Sequence, residues 1–192
     1  MPRPKTVSDE DVLTASLKLL GTEGLSFTLS DLARSVGLSR ATLIQRFGDR
    51  EAILHHMAAF EAKATRAWID TFPIERGRTG LWRFLEEIVE SMGAGDGFSA
   101  RVQIAALEAR DPVMRHHAQE RYRIVQDAIE ARLSDGPDRR EAAEHLHGVI
   151  AGATMQWVVS DGSLELSDFV LRKLRFAFDL IDERLTLTQG IK

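Results

Sequence analysis

Residues 28–50, TLSDLARSVGLSRATLIQRFGDR, decide how this chain is read. Thr28 is a good helix N-cap, and Asp31 stands three residues on, the spacing of a capping box. Leu29, Leu32, Ala33 and Val36 then give a short helix one apolar face. Gly37 follows at once and can take the left-handed backbone that ends a helix. Ser39 caps a second short helix, Arg40 to Phe47, in which Leu43 and Phe47 lie four apart and share a buried side. Ala41, Thr42, Gln45 and, less fully, Arg40, Ile44 and Arg46 point elsewhere. That outward set joins donors suited to base edges with small side chains that allow close approach. Between Arg34 and Arg50 there are four arginines and one acid, Asp49. A capped helical hairpin in an ordinary core would share the two helices and the glycine. The charge pattern favours a helix-turn-helix whose second helix enters a DNA major groove.

Outward from this stretch, Gly24 closes a preceding helix that Ser8 caps. Val12, Leu13, Ser16, Leu17, Leu19 and Leu20 form its inner stripe, and Phe27 is expected in the core. Before it, Met1 to Val7 carries two prolines with Arg3 and Lys5. It reads either as a mobile leader or as a basic arm for a phosphate backbone or minor groove. After it, Asp49 caps a long helix from Arg50 towards Phe72, ended by Pro73. A cation at Arg50 opposes the helix dipole, and a phosphate partner would account for it.

Gly24, Thr28, Leu32-Ala33, Gly37-Leu38-Ser39, Thr42-Leu43, Phe47, Arg50-Glu51 and Leu54 resemble, in order, the DNA-binding domain of the tetracycline-repressor (TetR) family of bacterial regulators. The resemblance covers roughly residues 8–57. It implies an all-helical homodimer with a three-helix head over residues 1–50 and a ligand-binding and dimerisation body over 51–192. It also implies DNA contacts from Thr28, Ser39, Arg40, Ala41, Thr42, Ile44 and Arg46, with Arg50 on a phosphate. Gln45 joins them on its outward position. Three departures stand out: Ile44 replaces the family's usual tyrosine, Arg50 replaces its usual lysine, and the gap from Gly24 to Thr28 is one residue shorter than the family's. Isoleucine offers only apolar contact with a thymine methyl or a sugar.

The body shows the helical period repeatedly. Leu81, Trp82, Phe84, Leu85, Ile88, Val89 and Met92 form one helix, broken by Gly93–Gly97 (GAGDG), which lacks the lysine of a phosphate loop. Phe98 to Ala109 is another. Asp111-Pro112 opens a helix that runs to the Asp135-Gly136-Pro137 turn. Arg139 to Val159 follows. After Asp161-Gly162-Ser163 a last helix starts near Ser167, with Phe169 through Leu185 in register. The expectation is an all-α chain of about nine helices, a helix-turn-helix head and a helical bundle.

The 192 residues allow one large domain or two small ones. The formal charge of −4 excludes a uniformly basic coat but not a local basic face. The chain has no cysteine, which excludes disulfides, thiol nucleophiles and thiolate metal sites. No apolar run suits a signal peptide or a membrane span, so a cytoplasmic protein is expected. His55-His56, His116-His117 and His145/His147 form no i, i+4 histidine pair, so no metal and no cofactor are expected. Acids alternate with arginines on exposed faces, as in Glu120-Arg121, and no catalytic spacing appears.

Trp68, Trp82, Met114, His117, Tyr122 and Trp157 suit a cavity for an apolar effector, or equally a dense core. The last two helices, with Gly148, Ala151, Gly152 and Ala153 on one of them, suit either a homodimer interface or internal packing. The expected function is a sequence-specific transcriptional regulator on a palindromic DNA operator, a repressor released by a small molecule. The competing readings are a helical protein-interaction module and a small helical enzyme acting on an apolar substrate.

Overall fold

The computed structural model describes residues 7–93, 98–136, 138–160 and 163–189, with no side-chain description at 98–100 and 185–189. Arg3 and Lys5, most of the GAGDG break, Pro137, Asp161-Gly162 and the register of Leu185 lie outside the described residues. Nine α-helices are present among the described residues: α1 (Asp9–Glu23), α2 (Leu29–Val36), α3 (Arg40–Phe47), α4 (Arg50–Ile69), α5 (Arg78–Glu90), α6 (Phe98–Glu108), α7 (Pro112–Arg132), α8 (Arg139–Val158) and α9 (Leu166–Gln189). A 3-10 turn, Gly24–Ser26, links α1 to the hairpin. No helix among the described residues is long and apolar enough to cross a membrane.

The ends are fixed locally. Ser8 and Asp11 form a capping box at α1, and Thr28 and Asp31 form one at α2. The Thr28 hydroxyl and backbone N–H both hydrogen-bond Asp31, which holds this carboxyl below its ordinary range. Gly37 ends α2 in the left-handed region, φ 69° and ψ 28°, where a side chain would be strained. Ser39 accepts from the Thr42 N–H at 3.0 Å. Asp111 caps α7 by accepting from the N–H groups of Val113 and Met114. α4 stops at Ile69, three residues before the Phe72 expected from periodicity. Thr71 and Phe72 tighten to i−3 carbonyls at the approach to Pro73, which disfavours helix in the residue before it.

The chain forms two compact units. The first holds residues 1–64 and 97–121. In it α2 packs on α1 and α3, and α6 packs on α1 and the 3-10 turn. Its core joins Leu20, Phe27, Leu32, Leu43, Ile53 and Met57 with Ile104 of α6 and Met114 of α7. Burial of such side chains contributes about 1.5–3 kcal/mol each, which short helices need to exist at all.

The second unit holds residues 65–96 and 122–192, where α9 packs against α8 and α5. Leu85, Ile129, Leu146 and Phe178 are almost wholly buried there. So is Arg132, at 1% exposure. Its guanidinium donates to the carbonyls of Ala128, Phe72 and Pro73 and lies 3.9 Å from the Phe84 ring centre. Burial lowers its pKa, and the carbonyl oxygens take the place of water around the charge. This one side chain holds the turn after α4. At Gly80 a Cβ would overlap the Glu75 carbonyl, so α5 needs glycine there to sit under that turn. Arg132→Met keeps the bulk and deletes the donors. It should lower unfolding free energy by about 2 kcal/mol in denaturant titrations followed by circular dichroism, and an unchanged midpoint would remove the brace.

Candidate nucleic-acid interface

α3 has eight residues, and only Leu43 and Phe47 are buried. Those two anchors orient the rest. Ser39, Arg40, Ala41, Ile44 and Gln45 are exposed, Ile44 at 46%, and Thr42 is half-buried with its hydroxyl 2.8 Å from that of Ser39. Among the described residues, Arg40 makes no ion pair. The predicted outward face is therefore an actual surface, with one unpaired cation and an amide.

Beside it lies an open groove of about 630 Å³, walled by residues 25–30 with Arg40 and Arg50. Thr28 stands exposed at its rim, at the N-terminus of α2, where backbone N–H groups and the helix dipole favour an anion. Ser26 and Ser30 also line it. Neither was singled out from the sequence, because a serine in a turn or first helical turn has many uses.

Of the other three arginines, Arg34 pairs with Asp31 and two are held within the head. Arg50 donates from Nε to the Phe27 carbonyl at 2.9 Å and from Nη2 to the Leu25 carbonyl at 2.7 Å, over the Phe27 ring. The cation that opposes the α4 dipole is thus met by two carbonyls inside the chain. Arg46 donates from Nε and Nη2 to the Asp9 carboxylate, and from Nη1 to the Val7 carbonyl at 3.0 Å. It braces α3 against the start of α1 and sits at the flank of the exposed face. No local sequence signal links Asp9 to Arg46, since the pair closes over 37 positions.

The six residues read as effector contacts are divided between the two units. Met114 and His117 fall in the first unit, and Met114 is part of its core. His117 faces Glu120, Nδ1 to Oε2, at 3.7 Å. The others fall in the second unit. Trp68 meets Phe72 edge-on and Trp82 packs on Phe178, with the Arg175 guanidinium 3.3 Å from its ring centre. Tyr122 meets His147, and the Trp157 Nε1–H donates to the Leu164 carbonyl at 2.9 Å. A cavity of about 130 Å³ in that unit is lined by Phe72, Phe84, Glu75, Glu87 and neighbours. That is below the roughly 300 Å³ at which small-molecule pockets begin.

α8, the residue that follows it and α9 expose large apolar side chains. Met155 is 48% exposed, Val159 84%, Phe176 71% and Leu180 53%. Gly148, Ala151 and Gly152 are exposed on α8, and open space lies beyond both glycines.

Residues 12–57 match the family of bacterial regulatory proteins described as the tetR family. No curated protein matches the chain. Solved structures with the same fold include a TetR-family transcriptional regulator from Mesorhizobium loti, described as putative, at a TM-score of 0.72 and 16% identity, over 90% of this chain and 93% of that one. A transcriptional regulator from Saccharomonospora viridis, also described as putative and in complex with choline, gives 0.73 and 19%, over 89% and 95%. The transcriptional regulator FadR from Bacillus subtilis, in complex with stearoyl-CoA, gives 0.67 and 16%, over 89% and 98%. Residues 12–57 are therefore similar to the tetR family of bacterial regulatory proteins, and the chain shares its fold over most of its length with solved structures described as regulators of transcription.

Proposed function

We propose that this protein is a sequence-specific transcriptional regulator of the cytoplasm, a repressor that binds a palindromic operator as a homodimer and is released by a small apolar effector. The observation that carries the reading is the α3 surface: two buried anchors turn Arg40, Ala41, Thr42, Ile44 and Gln45 outward, free of acidic neighbours on the same helix. Arg40 and Gln45 read base edges, Ala41 and Thr42 allow close approach, and Ile44 meets a thymine methyl or sugar. Thr28, Ser39 and the groove before α2 seat phosphates, with Arg50 adding positive field at the groove wall and Arg46 flanking it. DNA contact then belongs to residues 1–50, and dimerisation and effector binding to 51–192.

The dimer reading rests on the exposed apolar side chains of α8 and α9. Large apolar side chains exposed on two helices that pack on each other suit an interaction surface. A two-fold pair sets two α3 helices one helical turn of DNA apart, about 34 Å, or a multiple of it. The effector reading rests on the aromatic and methionine content around Trp68, Trp82, Met114, His117, Tyr122 and Trp157. The choline and stearoyl-CoA bound by similar folds differ too much to name its class. An effector acts only by binding one arrangement of the dimer better than another.

Selection from random duplex DNA should return an inverted repeat, with one position per half-site relaxed in Arg40→Ala by about 1–3 kcal/mol of discrimination. Recovery of unrelated sequences by the unaltered protein would defeat the DNA reading. Phe176→Glu should turn a dimer into a monomer in analytical ultracentrifugation and weaken operator binding, while a monomeric unaltered protein at tens of micromolar would exclude the interface. Operator affinity measured with and without choline, and with and without stearoyl-CoA, probes release. A fall with either supports it, and affinity unmoved by these and by a panel of apolar compounds removes the effector.

A further inference from the structure

We propose that Glu51, His55 and Asp111 form a binding site for one divalent transition-metal ion of the zinc class, inside the first unit. Glu51 and His55 sit one helical turn apart on α4, i and i+4, so their side chains emerge on the same face. Asp111 comes from the N-cap of α7. One ligand atom from each residue lies within 4.8 Å of the other two.

The charges favour a cation. His55 Nε2 is 2.8 Å from Asp111 Oδ2, which as a simple hydrogen-bonded pair would be complete. Glu51 is a second carboxylate beside it, and among the described residues no cation pairs with Glu51. Its neighbour Arg50 is committed to the Phe27 and Leu25 carbonyls. Two carboxylates facing one imidazole repel each other unless positive charge lies between them. A proton on His55 neutralises one of them, and a divalent ion neutralises both.

The donor set selects the class. One imidazole nitrogen with two carboxylates is a ligand set for zinc-like ions, with water completing four-coordination. Calcium would need six to eight oxygens and magnesium an octahedron of them. In a tetrahedral site with bonds of about 2.0–2.1 Å, adjacent ligand atoms stand roughly 3.3 Å apart. His55 Nε2 and Asp111 Oδ2 therefore open by about half an ångström. Asp111 is held ready, because its Oδ1 accepts from the Val113 and Met114 N–H groups and leaves Oδ2 for the ion. On binding, the proton of a neutral His55 moves from Nε2 to Nδ1, and an imidazolium loses one proton to solvent. Both His55 and Asp111 side chains are about a quarter exposed, which gives the ion a path.

Such an ion would clamp the first turn of α4, which directly follows α3, to the start of α7. Histidine spacing alone does not reveal Glu51 with His55, because one partner is a carboxylate and the third ligand lies 56 positions away. Zinc titration of the full chain against a chromophoric chelator should show about one tight equivalent. The affinity should fall at least about tenfold in both His55→Ala and Glu51→Gln, and stay unchanged in His145→Ala. Cobalt should give the visible bands of four-coordinate Co²⁺, lost in His55→Ala. Glu51→Gln keeps the shape of the side chain and serves should His55→Ala fail to fold. The site is overturned by absence of binding at 100-fold excess of zinc over protein, by affinity in the Glu51 and His55 variants equal to that of the unaltered protein, or by loss in His145→Ala. None of these readouts uses DNA, so the site stands or falls apart from the regulator reading.

Discussion

Eight residues of helix cannot hold themselves together in water, and α3 exists because Leu43 and Phe47 are buried in the core of the first unit. That constraint governs the rest of the head. It sets the rotation of α3, and rotation decides which side chains face solvent. Ser39 holds the start of the helix and Gly37 turns the chain into it, so entry angle and face are fixed by a few adjacent residues. The remaining cost of ordering so short an element is met by α2, which packs on it, and by α1, which packs on α2.

Charge is divided between support and display. Arg46 and Arg50 are used within the head, tying α3 to α1 and α4 to the turn before α2. Arg40 is left on the surface. Groups held by internal bonds keep a recognition surface in shape before any partner arrives, and that lowers the ordering cost of association. The same economy appears in the second unit, where a buried guanidinium replaces several backbone partners at the turn after α4.

The hairpin was legible because its determinants are local. Caps, the left-handed glycine and the i, i+4 anchors all act within four residues, and each appears at the position the spacing indicates. Helix number followed from apolar period for the same reason. Partners far apart in sequence were not legible: Asp9 with Arg46, His55 with Asp111, and α6 inside the first unit despite α5 intervening. Period also cannot tell a core from a pocket wall. Met114 suits a ligand contact by sequence and is a core residue of the first unit, since an inward-facing methionine looks alike in both.

The glycines of α5 and α8 carry opposite consequences for anyone rebuilding this chain. Replacing helical glycine by alanine normally adds up to about 1 kcal/mol through backbone entropy. At Gly80 that rule inverts, because the Glu75 carbonyl occupies the space a methyl group would need. Gly148 and Gly152 meet no such obstacle within a single chain. Methyl groups there would stiffen α8 and at the same time thicken its outer surface, so thermostability and close approach of another helix pull in opposite directions at those two positions.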